Sequence, residues 1–381
     1  MAGKDFSPLP QAERQLESTQ DGLSYFQDVL RRFKGNKLAM ASLFVIALIL
    51  LSAWIGPSLT QKSYDAQQLN LRNMPPRIEI QTAANGDRFY VHPELRVLRV
   101  DGDGAVGEAV EPVKKLLADR RYEYEIDGSP YTLSFVDGVA FLDGEGNPLP
   151  GRSVQWNKNY LLGTDSVGRD ILTRLLYGGR ISLLVAFVTS FFTLVIGILY
   201  GGIAGYYGGN VDVLMMRLVE ILMSIPSTIY VILLMVYFGQ GIYNILIAMA
   251  ATSWLGMAQL VRAQVLSLKE QEFVLAARIA GLKPFRIILR HLLPNCVGPV
   301  IVSATLSIPG AIATEAFMSF IGLGVAPPMP SWGILSNDGI GAIRSAPYQI
   351  LLPSAAICLT MFAFSFIGDG LRDALDPRLR T

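Results

Sequence analysis

The sequence is poor in charge and nearly devoid of the side chains that bind metals or do covalent chemistry. It holds two cysteines and two histidines in 381 residues, and only 17% of its residues are charged, where a soluble domain carries about a quarter. Cys296 and Cys358 lie in or beside separate apolar blocks with no Cys-x-x-Cys or Cys/His spacing, so neither a disulfide frame nor a metal site is indicated and both read as small buried hydrophobes. There is no G-x-x-x-x-G-K-[ST] phosphate cradle and no Ser/His/Asp or Cys/His arrangement. The chain is therefore expected to catalyse nothing by itself and to hold no cofactor or metal. Net charge of +1 says nothing about nucleic acid, the distribution of charge being the informative quantity; no nucleic-acid partner is expected. The first ~36 residues are polar and the apolar run after them is long enough to span a bilayer, so no cleavable signal peptide is read.

What is abundant is hydrophobic residues, 51% of the chain, gathered in blocks of bilayer-spanning length. Six spans are predicted, at 37–58, 181–205, 213–238, 242–262, 296–322 and 349–369. Arg31, Arg32, Lys34 and Lys37 precede the first, which by the positive-inside rule puts the N-terminal segment 1–36 in the cytoplasm. Six crossings return the tail 376–381 to the same side, where Arg372, Arg378 and Arg380 agree. The loop 263–295 then also falls inside with its basic residues, whereas 239–241 and 323–348 carry only Asp338 and Arg344.

Between the first two spans, 59–160 is expected to be a small, mostly β extracytoplasmic insertion. Alternating runs at Arg88 to His92, Tyr122 to Ile126 and Tyr131 to Val136 are strand-like. Turn pairs punctuate them at Asp101-Gly102, Asp127-Gly128, Asp137-Gly138, Asp143-Gly144 and Gly146-Asn147. His92, with no second ligand near it in sequence, reads as a surface or packed histidine. In Leu162 to Ser182, a cap at Thr164, Asp165 or Ser166 and an apolar face of Ile171, Leu172, Leu175 and Leu176 predict an amphipathic helix lying on the outer surface. Arg169, Asp170 and Arg174 fall on its other faces. Small residues mark the second span (Gly197, Gly201, Gly202, Ala204, Gly205) and the fourth (Ala248, Ala250, Ala251, Ser253, Gly256), which suits close helix contact.

Mid-membrane charge is scarce. Glu220 in the third span and Glu315 in the fifth belong either to a translocation path or to structural pairing, and Arg217 stands one helical turn before Glu220. The most ordered polar stretch is Glu270 to Pro294. A short helix carries Phe273 and the small residues Ala276, Ala277 and Ala280, and Gly281 suits its C-terminal cap. Pro284 suits the first turn of a second, basic helix with Arg286, Arg290 and His291, read as ended by Pro294. Such order suits a surface read by another protein; the alternative is a hairpin packed on its own spans and on anionic lipid heads.

These residues resemble the coupling motif of ATP-binding-cassette importer permeases, Glu-Ala-Ala-x-x-x-Gly-x9-Ile-x-Leu-Pro. Ala276, Ala277, Gly281, Leu293 and Pro294 match; Leu275 and His291 replace the Glu and Ile, as in the dipeptide/oligopeptide/nickel branch. Leu162 to Asp170, Glu315 to Gly333 and Gly368 to Arg378 are similar to that branch too, in particular to its second, C-type permease. The resemblance covers nearly everything except ~60–158. It implies an all-α polytopic protein with the six transmembrane helices of the type I importer fold, its core at 161–375, in a bacterial inner membrane. It further implies a homologous second permease, two cytoplasmic ATPases that bind ATP and Mg²⁺, an extracytoplasmic solute-binding protein, membrane lipid around them, and peptides as cargo. The coupling set is then Phe273, Ala276, Ala277, Gly281, Arg286, Arg290, His291 and Pro294. An ion-coupled secondary transporter or a membrane-anchored sensor or scaffold are the alternative readings.

Overall fold

The computed structural model describes residues 25–376 apart from 84–85, 95, 117–120, 127, 137–138, 145–146 and 149–150. The first 24 residues, Arg378, Arg380 and the Asp137-Gly138 turn lie outside the described residues. Helix α1 (Tyr25–Gly35) is amphipathic and leads into α2 (Lys37–Leu59), capped by the Asn36 side chain. Ten strands follow, β1 (Arg77–Thr82) to β10 (Gly151–Trp156). The rest is helical: α3 (Ile171–Tyr207), α4 (Gly209–Met223), α5 (Ser227–Phe238), α6 (Ile242–Ser253), α7 (Leu255–Leu268), α8 (Glu272–Ile279), α9 (Pro284–Ile287), α10 (Leu293–Asn295), α11 (Val297–Phe320), α12 (Trp332–Asp338) and α13 (Tyr348–Leu375).

Among the described residues, five stretches are long and apolar enough to cross a membrane: α2, α3, the α6–α7 run, α11 and α13. The expected third span is not straight. It is the pair α4 and α5, bent by 79° at Ser224 to Pro226, because proline removes a backbone donor and clashes with the turn before it. The expected surface helix before the second span is also corrected. Residues from Ile171 run without a break into the span as one 37-residue helix, α3. Its N-cap is Asp170, whose carboxylate accepts the Thr173 N–H at 3.2 Å, and not Thr164, Asp165 or Ser166. Asp165 instead closes the preceding turn, accepting the N–H groups of Val167 and Arg169.

The glycines of α3 set the core. Gly197, Gly201 and Gly205 repeat every fourth residue and lie against α7. A Cβ on Gly201 would stand 2.3 Å from the Ala258 carbonyl, and one on Gly197 2.5 Å from Met257. Small side chains thus let two backbones approach closely, as lipid-embedded helices require.

The insertion forms two antiparallel five-stranded sheets, ordered β10-β1-β2-β3-β4 and β5-β6-β7-β8-β9. Strands β2 (Arg88–His92), β6 (Arg121–Ile126) and β7 (Ser129–Val136) coincide with the alternating runs. Asp143 and Gly144 are not a turn; they end β8 (Val139–Gly144) and pair with Pro148 and Asn147. The insertion is seated on the helices by hydrogen bonds. Met74 and Thr164 are joined through backbone and side chain, the Tyr348 hydroxyl donates to the Met74 carbonyl at 2.8 Å, and Gln349 Nε2 donates to Asn73 Oδ1 at 2.9 Å. His92 is packed beneath this seat, 2% exposed.

Candidate functional site

The stretch between α7 and α11 folds as two short helical arms on a greasy base. Val274 and Ala277, one turn apart on α8, face inward with Ile287, Ile288 and Leu292, and join Met257, Val261 and Val265 of α7 in one buried cluster. Helix α8 ends by the geometry its glycine allows. Gly281 has φ +72°, its N–H bonds the Arg278 carbonyl at 3.0 Å, and the Leu282 N–H reaches back to Ala277 at 3.2 Å, a Schellman closure. The Arg278 guanidinium lies 5.3 Å from the Tyr206 ring centroid, which fixes α8 to the end of α3. Below it, Arg262 grips Asp212 with two hydrogen bonds of 2.5 and 2.6 Å, tying α7 to the start of α4.

Two sequence expectations change here. Pro294 does not stop the second arm. Residues Ile288–Leu292 form a π-helical turn, with the Leu293 N–H bonded to the Ile288 carbonyl, and the helical path continues through α10 towards α11. The wider π turn moves the carbonyl one turn back out of the way of the proline ring, so Pro294 is tolerated inside the path. Ala277 is not part of an open small-residue surface: it is 6% exposed and faces the chain's own core, because it shares the inward side of α8 with Val274. Ala276 and Ala280 are exposed.

The outward surface of the two arms combines apolar bulk with unpaired positive charge. Phe273 is 38%, Ile279 87% and Phe285 59% exposed. Gly281, Arg286, Arg290 and Pro294 are exposed beside them and His291 is half-buried. Among the described residues neither Arg286 nor Arg290 has an ion-pair partner. A surface of this kind is chemically fitted to a protein partner with an apolar groove and acceptor groups at its rim.

The intramembrane carboxylates have separate environments. Glu315 is fully buried and accepts hydrogen bonds from Ser182 at 2.8 Å and Ser319 at 2.7 Å. The Ser182 hydroxyl in turn accepts the Trp332 N–H at 3.2 Å, so the carboxylate joins α3, α11 and the start of α12. Glu220 pairs with Arg217 at 2.7 Å on an exposed face of α4.

Other ionic features escaped the sequence reading. Arg174, 2% exposed, bonds Asp165 at 2.6 Å and Asp338 at 3.0 Å, and Arg169 bonds the same two carboxylates. The available signal was an arginine within the first turn of an apolar helix and a single acid in the 323–348 loop. Cys296 is buried as expected, but Cys358 is exposed on α13.

With this geometry in view, comparison with known proteins is decisive. Residues 162–381 match the family described as "Binding-protein-dependent transport system inner membrane component", and residues 24–76 match the N-terminal transmembrane domain of oligopeptide transport permease C. The chain belongs to this permease family. It is 38% identical over 94% of its length, and 87% of the relative's, to the dipeptide transport system permease protein DppC of Bacillus subtilis. It is 38% identical over 97% of its length to the oligopeptide transport system permease protein OppC of Haemophilus influenzae, covering 94% of that protein. The oligopeptide permease OppC of Escherichia coli is 36% identical over 94% of the chain and 93% of its own length. Among solved structures, an inward-facing MetNI methionine ABC transporter is similar over 53% of this chain and 96% of that one, at 19% identity and a TM-score of 0.43. The permease is thus a multi-pass inner-membrane protein, a transport component of an ABC importer, and resembles the C-type branch over nearly its whole length.

Proposed function

We propose that this permease imports peptides of the dipeptide and oligopeptide class, forming its pathway with a homologous second permease. Two cytoplasmic ATPases, holding ATP and Mg²⁺, drive it, and an extracytoplasmic binding protein delivers the cargo. Both termini lie in the cytoplasm, with the insertion on the opposite side. The observation that carries this reading is the exposed surface of Phe273, Ile279, Phe285, Arg286 and Arg290, which has apolar area and positive charge left unmatched among the described residues.

The α8–α9 arms act as a lever. ATP closes the ATPase dimer, the arms move with it, and the buried cluster beneath them passes the displacement to α7 and α11. Hydrolysis resets the bundle. Packed protein interiors transmit displacement because they compress little. Gly281 and Ala276 allow close approach of the partner, Pro284 and Pro294 fix the path of the second arm, and Arg286, Arg290 and His291 supply polar contacts. Glu315 is structural in this reading, a buried knot between spans.

The test is a cysteine at Ile279 in the full chain, expressed with its genomic neighbours. Crosslinking to an ATPase subunit, and loss of that crosslink when Phe285 is replaced by Glu, are the expected results. Purification of the intact membrane assembly without any ATPase would overturn the proposal.

A further inference from the structure

The bent third span combines two features that a lipid-facing helix does not tolerate. The first is charge. Arg217 and Glu220 form their ion pair with side chains 72% and 54% exposed. They lie roughly two to three turns into α4 (Gly209–Met223). Helix α4 packs along α3, where Met216 and Val219 meet Ala204, Trp254, Leu255 and Ala258, and the Tyr200 hydroxyl donates to the Met215 carbonyl at 2.8 Å. Arg217 has the length to turn back towards the nearby end of α4, as a lipid-facing arginine does. It reaches instead one turn further in, to Glu220.

The second feature is open backbone. Helix α4 stops at Met223 and α5 starts at Ser227 at an angle of 79°. Residues Ser224 to Ser227 are all exposed. Among the described residues the Ile225 N–H and the Ser224 and Ile225 carbonyls have no hydrogen-bond partner. Irregular backbone at membrane depth persists only where protein covers it or water reaches it, and half-helices meeting within the membrane present their ends to polar ligands.

We propose that the α4–α5 bend lines the water-filled passage of the permease, and that Arg217 and Glu220 give it a polar face for solutes carrying both charges. The inference rests on the importer reading above and adds where along this chain the solute travels. An open peptide, with an ammonium at one end and a carboxylate at the other, is the solute class that such a dipolar pair suits. The two charges neutralise each other, so the wall attracts neither ion strongly enough to trap it.

Accessibility in the whole transporter decides the matter. In a background with Cys296→Ala and Cys358→Ala, Ser224→Cys is treated in membrane vesicles with a membrane-impermeant quaternary-ammonium thiosulfonate. Leu43→Cys on the apolar span α2, also exposed in the isolated chain, is the comparison. The expected result is labelling of Ser224→Cys in one nucleotide state, its loss in the other, and no labelling of Leu43→Cys in either. If Ser224→Cys stays as unreactive as Leu43→Cys in every nucleotide state, the bend is packed against the partner permease and the inference is overturned. A second arm measures uptake of trialanine by Glu220→Gln and Arg217→Gln variants that still co-purify with ATPase. Loss of most uptake is expected; wild-type uptake overturns the role of the pair. Absence of any ATPase from the purified assembly would instead remove the importer reading, whatever the labelling shows.

Discussion

The two ends of the bundle treat their charges in opposite ways. At the end that carries the insertion, Arg174, Arg169, Asp165 and Asp338 pair with one another, with the two arginines 2% and 13% exposed. At the end that carries α8 and α9, Arg286 and Arg290 are exposed, with no counter-charge among the described residues. The first end is closed on itself, so the insertion, the start of α3 and the start of α13 form one seated body. The second is open, and in the proposed reading it is half of an interface with another chain. A buried pair costs desolvation whichever way it is arranged, so the closed cluster stabilises through mutual pairing, while the open arginines cost little until a partner covers them.

Breaking the closed end should have the largest effect. Arg174→Ala leaves Asp165 and Asp338 sharing Arg169 as their one remaining cation, and the loss approaches the about 3–5 kcal/mol of breaking a buried pair. The expected outcome is a large drop in detergent-extractable, folded permease and in its thermal midpoint. An Arg286→Ala variant should leave both unchanged and lower transport instead. Equal thermal loss in the two variants would erase the distinction between the ends.

The comparison sharpens within the loop itself, where adjacent alanines face opposite ways. Ala277→Phe overfills the buried cluster and should cost about 1–3 kcal/mol. Ala276→Phe, on the exposed side, should leave stability within about 0.5 kcal/mol while cutting cargo uptake per ATP hydrolysed. Thermal melts paired with ATPase and uptake assays separate the two. A structural effect smaller than that of Ala277→Phe is expected at Gly281. A Cβ there meets nothing within 4 Å, so Gly281→Val acts only through the left-handed backbone, at about 1–2 kcal/mol. The variant should reach the membrane yet hydrolyse ATP without transport; wild-type uptake would count against the lever.

Most of the spans were legible because apolar runs of bilayer length have few other uses. The two-armed shape of the 270–294 loop was legible too, through Gly281 and Pro284, whose backbone demands are local. What sequence did not disclose depended on neighbours. The bend at Pro226 looks, residue by residue, like any proline that a long helix absorbs, as α11 absorbs Pro309 and α13 absorbs Pro353. Pro294 looked like a stop because nothing local announces a π turn. The inward face of Ala277 followed from Val274 and from a base on α7 that only folding brings near. Arg174 read as surface charge because its partner Asp338 is 164 residues away.

The smallest effect concerns the seat of the insertion and its response to pH. His92 Nε2 lies 3.1 Å from the Asn73 carbonyl and Nδ1 accepts the Glu94 N–H at 3.1 Å, so the neutral ring with its proton on Nε2 satisfies both. Burial holds the imidazole below its ordinary 6.5, reinforced by Arg96 and Arg72 and opposed by the Asn73 bond and Glu94. The unfolded chain therefore binds this proton more readily than the folded one. Stability from the neutral ring is fully present above 6.5 and is lost progressively as the pH falls from there through the lower folded value. Asn73 also bonds Gln349 of α13, so loosening should appear first at the joint between insertion and helices. Hydrogen exchange in β2 and β3 (Arg96–Val100) should quicken between about pH 7 and pH 5 in the native protein. His92→Gln keeps a donor for the Asn73 carbonyl but carries no titrating group, so its exchange, corrected for the intrinsic pH dependence, should stay flat over that range. The same acid-dependent opening in His92→Gln would place the sensitivity in other groups and leave the closed end without a pH-responsive joint at this residue.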